Sequence, residues 1–157
     1  MIVHGYDLDE ASVAAARKNA AQAGVSERVR FEVSDASKGA AAIPDRTPYD
    51  LVVAIEMLHD VPDPVGVLTT MRELQAPHGA VLVADEFTAP GDEMERFMYA
   101  CSVLHCLPVG MIEDGTAATG TVIRSSVVRD YATRAGFAAT TVLDVEHPQF
   151  RLYHLEV

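Results

Sequence analysis

The run YDLVVAIE (49–56), continued by MLHDVPDP (57–64), decides the fold. From Leu51 to Ile55 it is apolar without interruption, and it stops at an acid, Glu56. A strand with one wet face alternates apolar and polar side chains, so an unbroken run predicts a central parallel strand covered on both faces. In DPVGVLTTMRELQAPHG (63–79), Asp63 stands at a cap position and Pro64 at the first helical position. Val67, Leu68, Met71 and Leu74 then share one helical face. AVLVADE (80–86) is a second buried strand that also ends in acids.

Toward the N-terminus, IVHGYD (2–7) is a short apolar run ending at Asp7, and the Ala-rich DEASVAAARKNAAQAG (9–24) reads as a helix capped by Asp9 and stopped by Gly24. RVRFEVSD (28–35) alternates Val29, Phe31 and Val33 with polar residues, the period of a half-buried strand near a sheet edge. A loop containing Pro44 and Pro48 follows. Toward the C-terminus, a helix is expected over 92–107 with Met94, Phe97, Cys101 and Leu104 aligned, then a loop over 108–124. SSVVRDYATRAG (125–136) reads as a helix capped by serine and closed by Gly136, and two strands around 138–146 and 149–156 form an antiparallel hairpin about His147-Pro148. Strands that alternate with helices predict an α/β fold in one domain, 1–157, with a mostly parallel sheet and right-handed crossovers.

The chain has 157 residues and a formal charge of −11, from 23 acidic against 12 basic groups. Such a field repels a phosphate backbone, so nucleic acid is not expected as a partner. The longest apolar runs fall far short of the roughly 20 residues that cross a bilayer, and no basic-then-apolar signal opens the chain, which predicts a cytoplasmic protein without a membrane partner. Cys101 and Cys106 lie five apart in a helical stretch, where their side chains diverge, so no disulfide is expected. His105 beside them offers a third candidate metal ligand, but a tetrahedral site wants a second well-spaced pair. Buried, inert thiols and no metal are therefore expected.

Asp7, Asp35, Glu56 and the Asp85-Glu86 pair each stand at the carboxyl end of an expected strand. In a parallel sheet those ends share one edge, outside which open α/β sheets bind their ligands. Singly, such acids are commonly solvated loop residues. Jointly they form a rim that accepts hydrogen bonds from ribose hydroxyls and an exocyclic amine and attracts positive charge, as a sulfonium nucleoside requires. A dinucleotide's pyrophosphate would be repelled by this rim unless a glycine-rich turn offset it.

GYDLDEASVAAARKNA (5–20), VRFEVSDAS (29–37), YDLVVAIEMLHDVPDP (49–64) and GAVLVADE (79–86) resemble the successive blocks of class I S-adenosylmethionine-dependent methyltransferases, in the family's order, most closely those acting on small molecules. The resemblance covers about residues 2–90 and implies a Rossmann-like sheet with S-adenosylmethionine as cofactor. It implies that Asp7 holds both ribose hydroxyls, Leu8 packs on the adenine, Asp35 binds the adenine amino group and Ala36 offers its N–H to the ring. Glu56 and its neighbours would line the methionine moiety, and Glu86 the acceptor side. MLHDVPDP is similar to the block in which plant-type O-methyltransferases carry a histidine that deprotonates an acceptor hydroxyl, which makes His59 the candidate catalytic residue, with structural packing as its other reading.

The chain departs from the family pattern at its start: Met1 precedes what should be the second strand, and the first strand with its glycine-rich turn is missing. The expectation is an incomplete domain, a fragment or a misplaced start, whose strand pairs face each other across an empty central position and which alone binds cofactor weakly. The other remedies are direct pairing of the second and fourth strands and a strand from another chain, a homodimer included. The function expected is methyl transfer to a small-molecule acceptor, through oxygen; the alternatives are a catalytically silent methyltransferase-like module working through protein partners, and a dehydrogenase, in which the SDA and EMLHD blocks would have no role.

Overall fold

The computed structural model of the chain describes residues 1–44, 47–88, 90–91, 93–112 and 115–157. Strand β3 (Tyr49–Ile55) pairs in parallel with β4 (Gln75–Glu86), from Leu51 opposite Ala80 to Ile55 opposite Ala84. Their crossover is α2 (Pro64–Leu74), whose first turn is closed by Asp63 Oδ1 accepting the Gly66 N–H at 2.8 Å. β4 starts five residues before the expected position 80, because the chain leaves α2 directly into extended backbone at Gln75, which sits opposite Tyr49 across an irregularity in the ladder. Gly79 permits this: a Cβ there would stand 2.6 Å from the Tyr49 carbonyl oxygen.

Strand β6 (Phe150–Glu156) adds antiparallel to β4, and β5 (Ala139–Val142) antiparallel to β6, giving the order β3-β4-β6-β5. Helices α2 and α5 (Ser125–Arg134) pack on this sheet, and the core they close contains Leu58, Leu68, Val81, Val83, Val128 and Leu155 at full burial. Each such side chain contributes about 1.5–3 kcal/mol on leaving water. The antiparallel hairpin is as expected, although its first strand ends at Val142 and residues 143–149 make a longer link than the sequence implied.

The remaining strands form a separate unit. β1 (Val3–Asp7) and β2 (Val29–Val33) pair in parallel, with α1 (Glu10–Gln22) as crossover, as their own two-stranded sheet. α1 has the expected ends, with the Asp9 carboxylate on the Ser12 N–H and Gly24 at φ +66°. No ladder joins β1 to β3 among the described residues, so the two strand groups form separate sheets. The units meet through side chains instead: the Tyr49 hydroxyl lies 2.8 Å from both His4 Nδ1 and the Tyr6 hydroxyl. A turn at Ala36–Lys38 also packs against α2.

Four expectations fail. β3 is not covered on both faces: Val52 and Ala54 turn toward α2, whereas Leu51, Val53 and Ile55 on the opposite face are each half or more exposed, because no described element lies over them. The helix expected over 92–107 is α3 (Glu93–Cys101), a π turn (Ser102–Cys106) and α4 (Leu107–Gly110), while residue 92 lies outside the described residues. Helix thus continues past Pro108, because the π turn restarts the register and leaves proline near a helix start, where its missing N–H costs little. The apolar stripe that runs from α3 into the π turn is also bare, with Phe97 62% and Leu104 82% exposed, since nothing described packs on it. Finally, Arg124 occupies the cap position of α5 with no side-chain cap bond, and Ser125 turns to β6, where its hydroxyl accepts a 2.6 Å hydrogen bond from Arg151.

No described helix is long and apolar enough to cross a membrane. Because one hydroxyl bridges the two units, Tyr49→Phe is expected to cost about 1–2 kcal/mol of local stability. Hydrogen exchange should quicken across β1 and β2 while β4 and β6 keep their protection. Unchanged exchange in β1 and β2 would show that the bridge contributes nothing.

Candidate functional site

Asp7 is opposite Val33 in the β1–β2 ladder, so the backbone leaves both strands at the same edge, where Asp35 follows two residues later. Asp7 Oδ1 accepts the Asp9 N–H at 2.8 Å, and the side chain is otherwise open to solvent, as is Leu8. Asp35 is held more firmly. Its Oδ1 accepts both the Ser37 N–H (2.8 Å) and the Ser37 hydroxyl (2.6 Å), and Lys38 Nζ lies 3.8 Å from Oδ2. Partial burial pushes this carboxyl upward, but the Ser37 hydrogen bonds and the Lys38 charge outweigh it and hold its pKa below the ordinary value. Ala36 opens the turn and rests on the core, and the turn abuts the start of α2 so closely that a Cβ on Gly66 would meet the Ser37 carbonyl oxygen at 2.7 Å.

Glu56 terminates β3 with its N–H on the Ala84 carbonyl at 2.8 Å and with φ +52°, a left-handed conformation that costs a non-glycine residue about 1 kcal/mol or more. That turn swings residues 57–60 over the end of β4. There Leu58 and His59 are buried, and His59 keeps only 3% of its surface exposed. Asp85, fully buried, receives the histidine: its Oδ1 lies 2.6 Å from ring Nδ1 and its Oδ2 accepts the His59 N–H at 3.2 Å. Asp85 Oδ1 accepts the Glu86 N–H as well. With Nδ1 bound to Asp85, the other ring nitrogen, Nε2, stands 3.2 Å from Asp60 Oδ1.

Burial alone would lower the His59 pKa. The hydrogen bond and charge of Asp85, reinforced by Asp60 and Glu86, reverse this, and the ring holds its proton above the usual histidine range. Glu86 is pushed up by its own burial and by Asp85, Glu56 and Asp60, against the pull of His59.

The structure therefore gathers Glu56, His59, Asp85 and Glu86 where β3 and β4 end, and places Asp7, Leu8, Asp35 and Ala36 at the end of the β1–β2 pair. The partnership of Asp85 with His59 is absent from the sequence reading, which gave only Glu86 a role. A usable signal existed: neighbouring residues on a strand face opposite ways, so one member of a strand-end acid pair must turn inward. Two surface clefts, of about 600 and 490 Å³, are lined around Phe87 and Arg151 and around Lys38 and Pro62, and neither includes Asp7, Asp35, Glu56 or His59.

A family described as "Methyltransferase domain" matches residues 2–122. The ubiquinone biosynthesis O-methyltransferase of Bordetella pertussis is 30% identical over 154 residues, which is 98% of this chain but 60% of that protein. The protein of the same name from Aeromonas salmonicida is 34% identical over 82 residues. Among solved structures, PigF with SAH superposes at a TM-score of 0.73 with 21% identity over all of this chain and 44% of its own. An O-methyltransferase family protein from Burkholderia thailandensis does so at 0.73 with 17% identity, over 99% of this chain and 43% of its own. The chain thus spans 60% or less of the length of these proteins, and at those identities the superpositions speak for a shared Rossmann-like fold. By the extent of the family match and by its fold, the chain belongs to the class I S-adenosylmethionine-dependent methyltransferases.

Proposed function

We propose that this chain forms the adenosine-binding and acceptor-activating part of an S-adenosylmethionine-dependent methyltransferase that acts on an oxygen of a small molecule. The observation that carries the reading is the shared edge at which Asp7 and Asp35 leave paired parallel strands. The residues fit the cofactor by their chemistry. Asp7 is an exposed carboxylate with one backbone donor, able to accept from two ribose hydroxyls, and Asp35 is kept ionised by Ser37 and Lys38 and can take the adenine amine. Leu8 offers apolar surface to the adenine, Ala36 its N–H to the ring, and Glu56 faces the methionine side.

Bound S-adenosylmethionine supplies a methyl group on a positively charged sulfur. The chain's own part is alignment and proton removal. Asp85 fixes the His59 ring by accepting from Nδ1–H, so Nε2 is the nitrogen left to take the acceptor's hydroxyl proton. The same carboxylate, with Asp60 and Glu86, stabilises the imidazolium that results. The oxygen acceptor is supported by the O-methyltransferase names of the relatives and by this histidine-carboxylate pair.

Two measurements test the reading. Titration of the labelled chain with S-adenosylhomocysteine, followed by nuclear magnetic resonance, should shift the amides of Leu8, Ala36 and Met57 even if saturation needs high ligand. Asp7→Ala should weaken binding tenfold or more, the worth of about 1.5–3 kcal/mol in charge-assisted hydrogen bonds. Equal affinity in both proteins would refute the Asp7 assignment, and shifts confined to other regions would refute the site. In a preparation active in methyl transfer, His59→Gln should lower kcat by about a hundredfold or more with little change in cofactor KM. A kcat within twofold of wild type would reduce His59 to packing.

A further inference from the structure

His59, Asp60 and Cys106 form a cluster that neither the rim of acids nor the family assignment requires. A ring nitrogen of His59, a carboxylate oxygen of Asp60 and Cys106 Sγ all lie within 4.8 Å of one another, and Nε2 is the nitrogen beside Asp60. We infer that these three side chains are a binding site for a borderline-soft divalent cation of the Zn²⁺ class. The set is neither the Cys101, His105, Cys106 group visible in the sequence nor any part of the proposed adenosine site.

Four observations converge on it. First, the ring is already turned as a metal-bound histidine is turned: Asp85 occupies Nδ1 at 2.6 Å, and a carboxylate on the far nitrogen orients and strengthens the near one as a ligand. Second, the buried Asp60 Oδ1 has no hydrogen bond of ordinary geometry; its near neighbours are His59 Nε2 at 3.2 Å and the Cys106 thiol, the two other members of the set. Two ligand atoms on a tetrahedral ion at about 2.0–2.2 Å stand roughly 3.3–3.6 Å apart, so this pair is near its coordinated spacing before any ion arrives. Third, Cys106 is delivered to the pair by backbone geometry. The π turn at Ser102–Cys106 carries it, and one turn later Gly110 lies against Asp60, where a Cβ would come 3.2 Å from the Asp60 carbonyl oxygen. The Gly120 N–H on the His59 carbonyl (3.1 Å) and the Thr121 N–H on the Ser102 hydroxyl (3.0 Å) tie both sides of the site to one loop.

The fourth observation is electrostatic. The charges acting most strongly on Glu86 are the carboxylates of Asp85, Glu56 and Asp60 and the single cation His59. Glu86 Oε2, like Asp60 Oδ1, is buried with no hydrogen-bond partner. A divalent ion brings two positive charges; the proton leaving Cys106 offsets one and the proton of a charged His59 offsets the other, so the ion relieves this excess by one charge where His59 is neutral and otherwise replaces two protons. One nitrogen, one oxygen and one sulfur suit Zn²⁺ or Co²⁺ and not Mg²⁺ or Ca²⁺, which take oxygen alone. Three protein ligands leave a fourth position to water or an exogenous group.

The bonds formed are metal to Nε2, Oδ1 and Sγ. The Cys106 thiol, which burial holds protonated, gives its proton to solvent, as does the imidazolium where His59 is charged, and the ion sheds water. Binding needs neither cofactor nor acceptor. It takes the Nε2 lone pair, so if His59 is the base proposed above, the ion inhibits methyl transfer; that consequence rests on the proposed function and the binding does not.

The test uses the purified chain, stripped with chelator and titrated with Co²⁺ alone. One equivalent should bind with a thiolate-to-cobalt charge-transfer band, and Zn²⁺ should displace it. Cys106→Ser should abolish the band and His59→Gln should weaken binding at least tenfold, whereas Cys101→Ser should leave both unchanged. In the unaltered protein, Zn²⁺ should slow alkylation of Cys106, read by mass spectrometry, and leave Cys101 as reactive as before; this arm needs no variant to fold. A wild-type chain without the band, a band that survives Cys106→Ser or is lost in Cys101→Ser, or equal protection of both thiols would overturn the assignment.

Discussion

The parallel pairing of β3 with β4 is the constraint on which the rest depends. Once Ile55 is opposite Ala84, the next residue of each strand is an acid, and the chain after Glu56 has to turn within a few residues to reach α2. The left-handed Glu56 makes that turn, and the turn drops His59 beside Asp85. A register slip of one residue would send Asp85 to the other face and leave His59 facing a hydrophobic strand. The buried ion pair is thus a product of strand register, and its geometry is no freer than the core around it, where Val81 and Val83 are fully buried.

The sequence made the strands, the crossover helices and the two ends of α1 legible, because periodicity and capping are local signals. Asp7, Asp35 and Glu56 were legible as strand-end acids for the same reason. What local signals do not carry is which neighbour covers an element. The unbroken run in β3 reads as buried on both faces, yet Leu51, Val53 and Ile55 face outward. Likewise the sequence aligns Phe97 and Leu104 on one apolar stripe, yet both, one on α3 and one in the π turn, lie in solvent. Hydrophobic period reports that a face wants cover, and only the arrangement of other elements reports whether it has it.

The same distinction explains Asp85 and Cys106. Each is ordinary in sequence, one of two acids at a strand end and one of two thiols in a helix. Their partners are 26 and 46–47 residues away, and the contacts arise from a ladder and a π turn, neither of which has a sequence signature as strong as a cap or a turn glycine. Ser125 shows the converse. A serine at a helix start carries a local signal for capping, and a long-range partner, Arg151 on β6, takes the hydroxyl instead.

The two sheets differ in what holds them. Within the four-stranded sheet, ladders and a shared core act together, so loss of one contact is spread over many. Between the sheets, the Tyr49 hydroxyl and the packing of the Ala36–Lys38 turn on α2 carry the connection, and the facing edges of β1 and β3 are bridged by no ladder. The proposed adenosine site lies on the first unit and the His59–Asp85 pair on the second. Any ligand that touched both would therefore be bound by a surface whose two halves are joined by a few side chains. Its affinity would depend on how well that joint holds the rim in register, because the ordering of a loose joint is subtracted from the binding free energy.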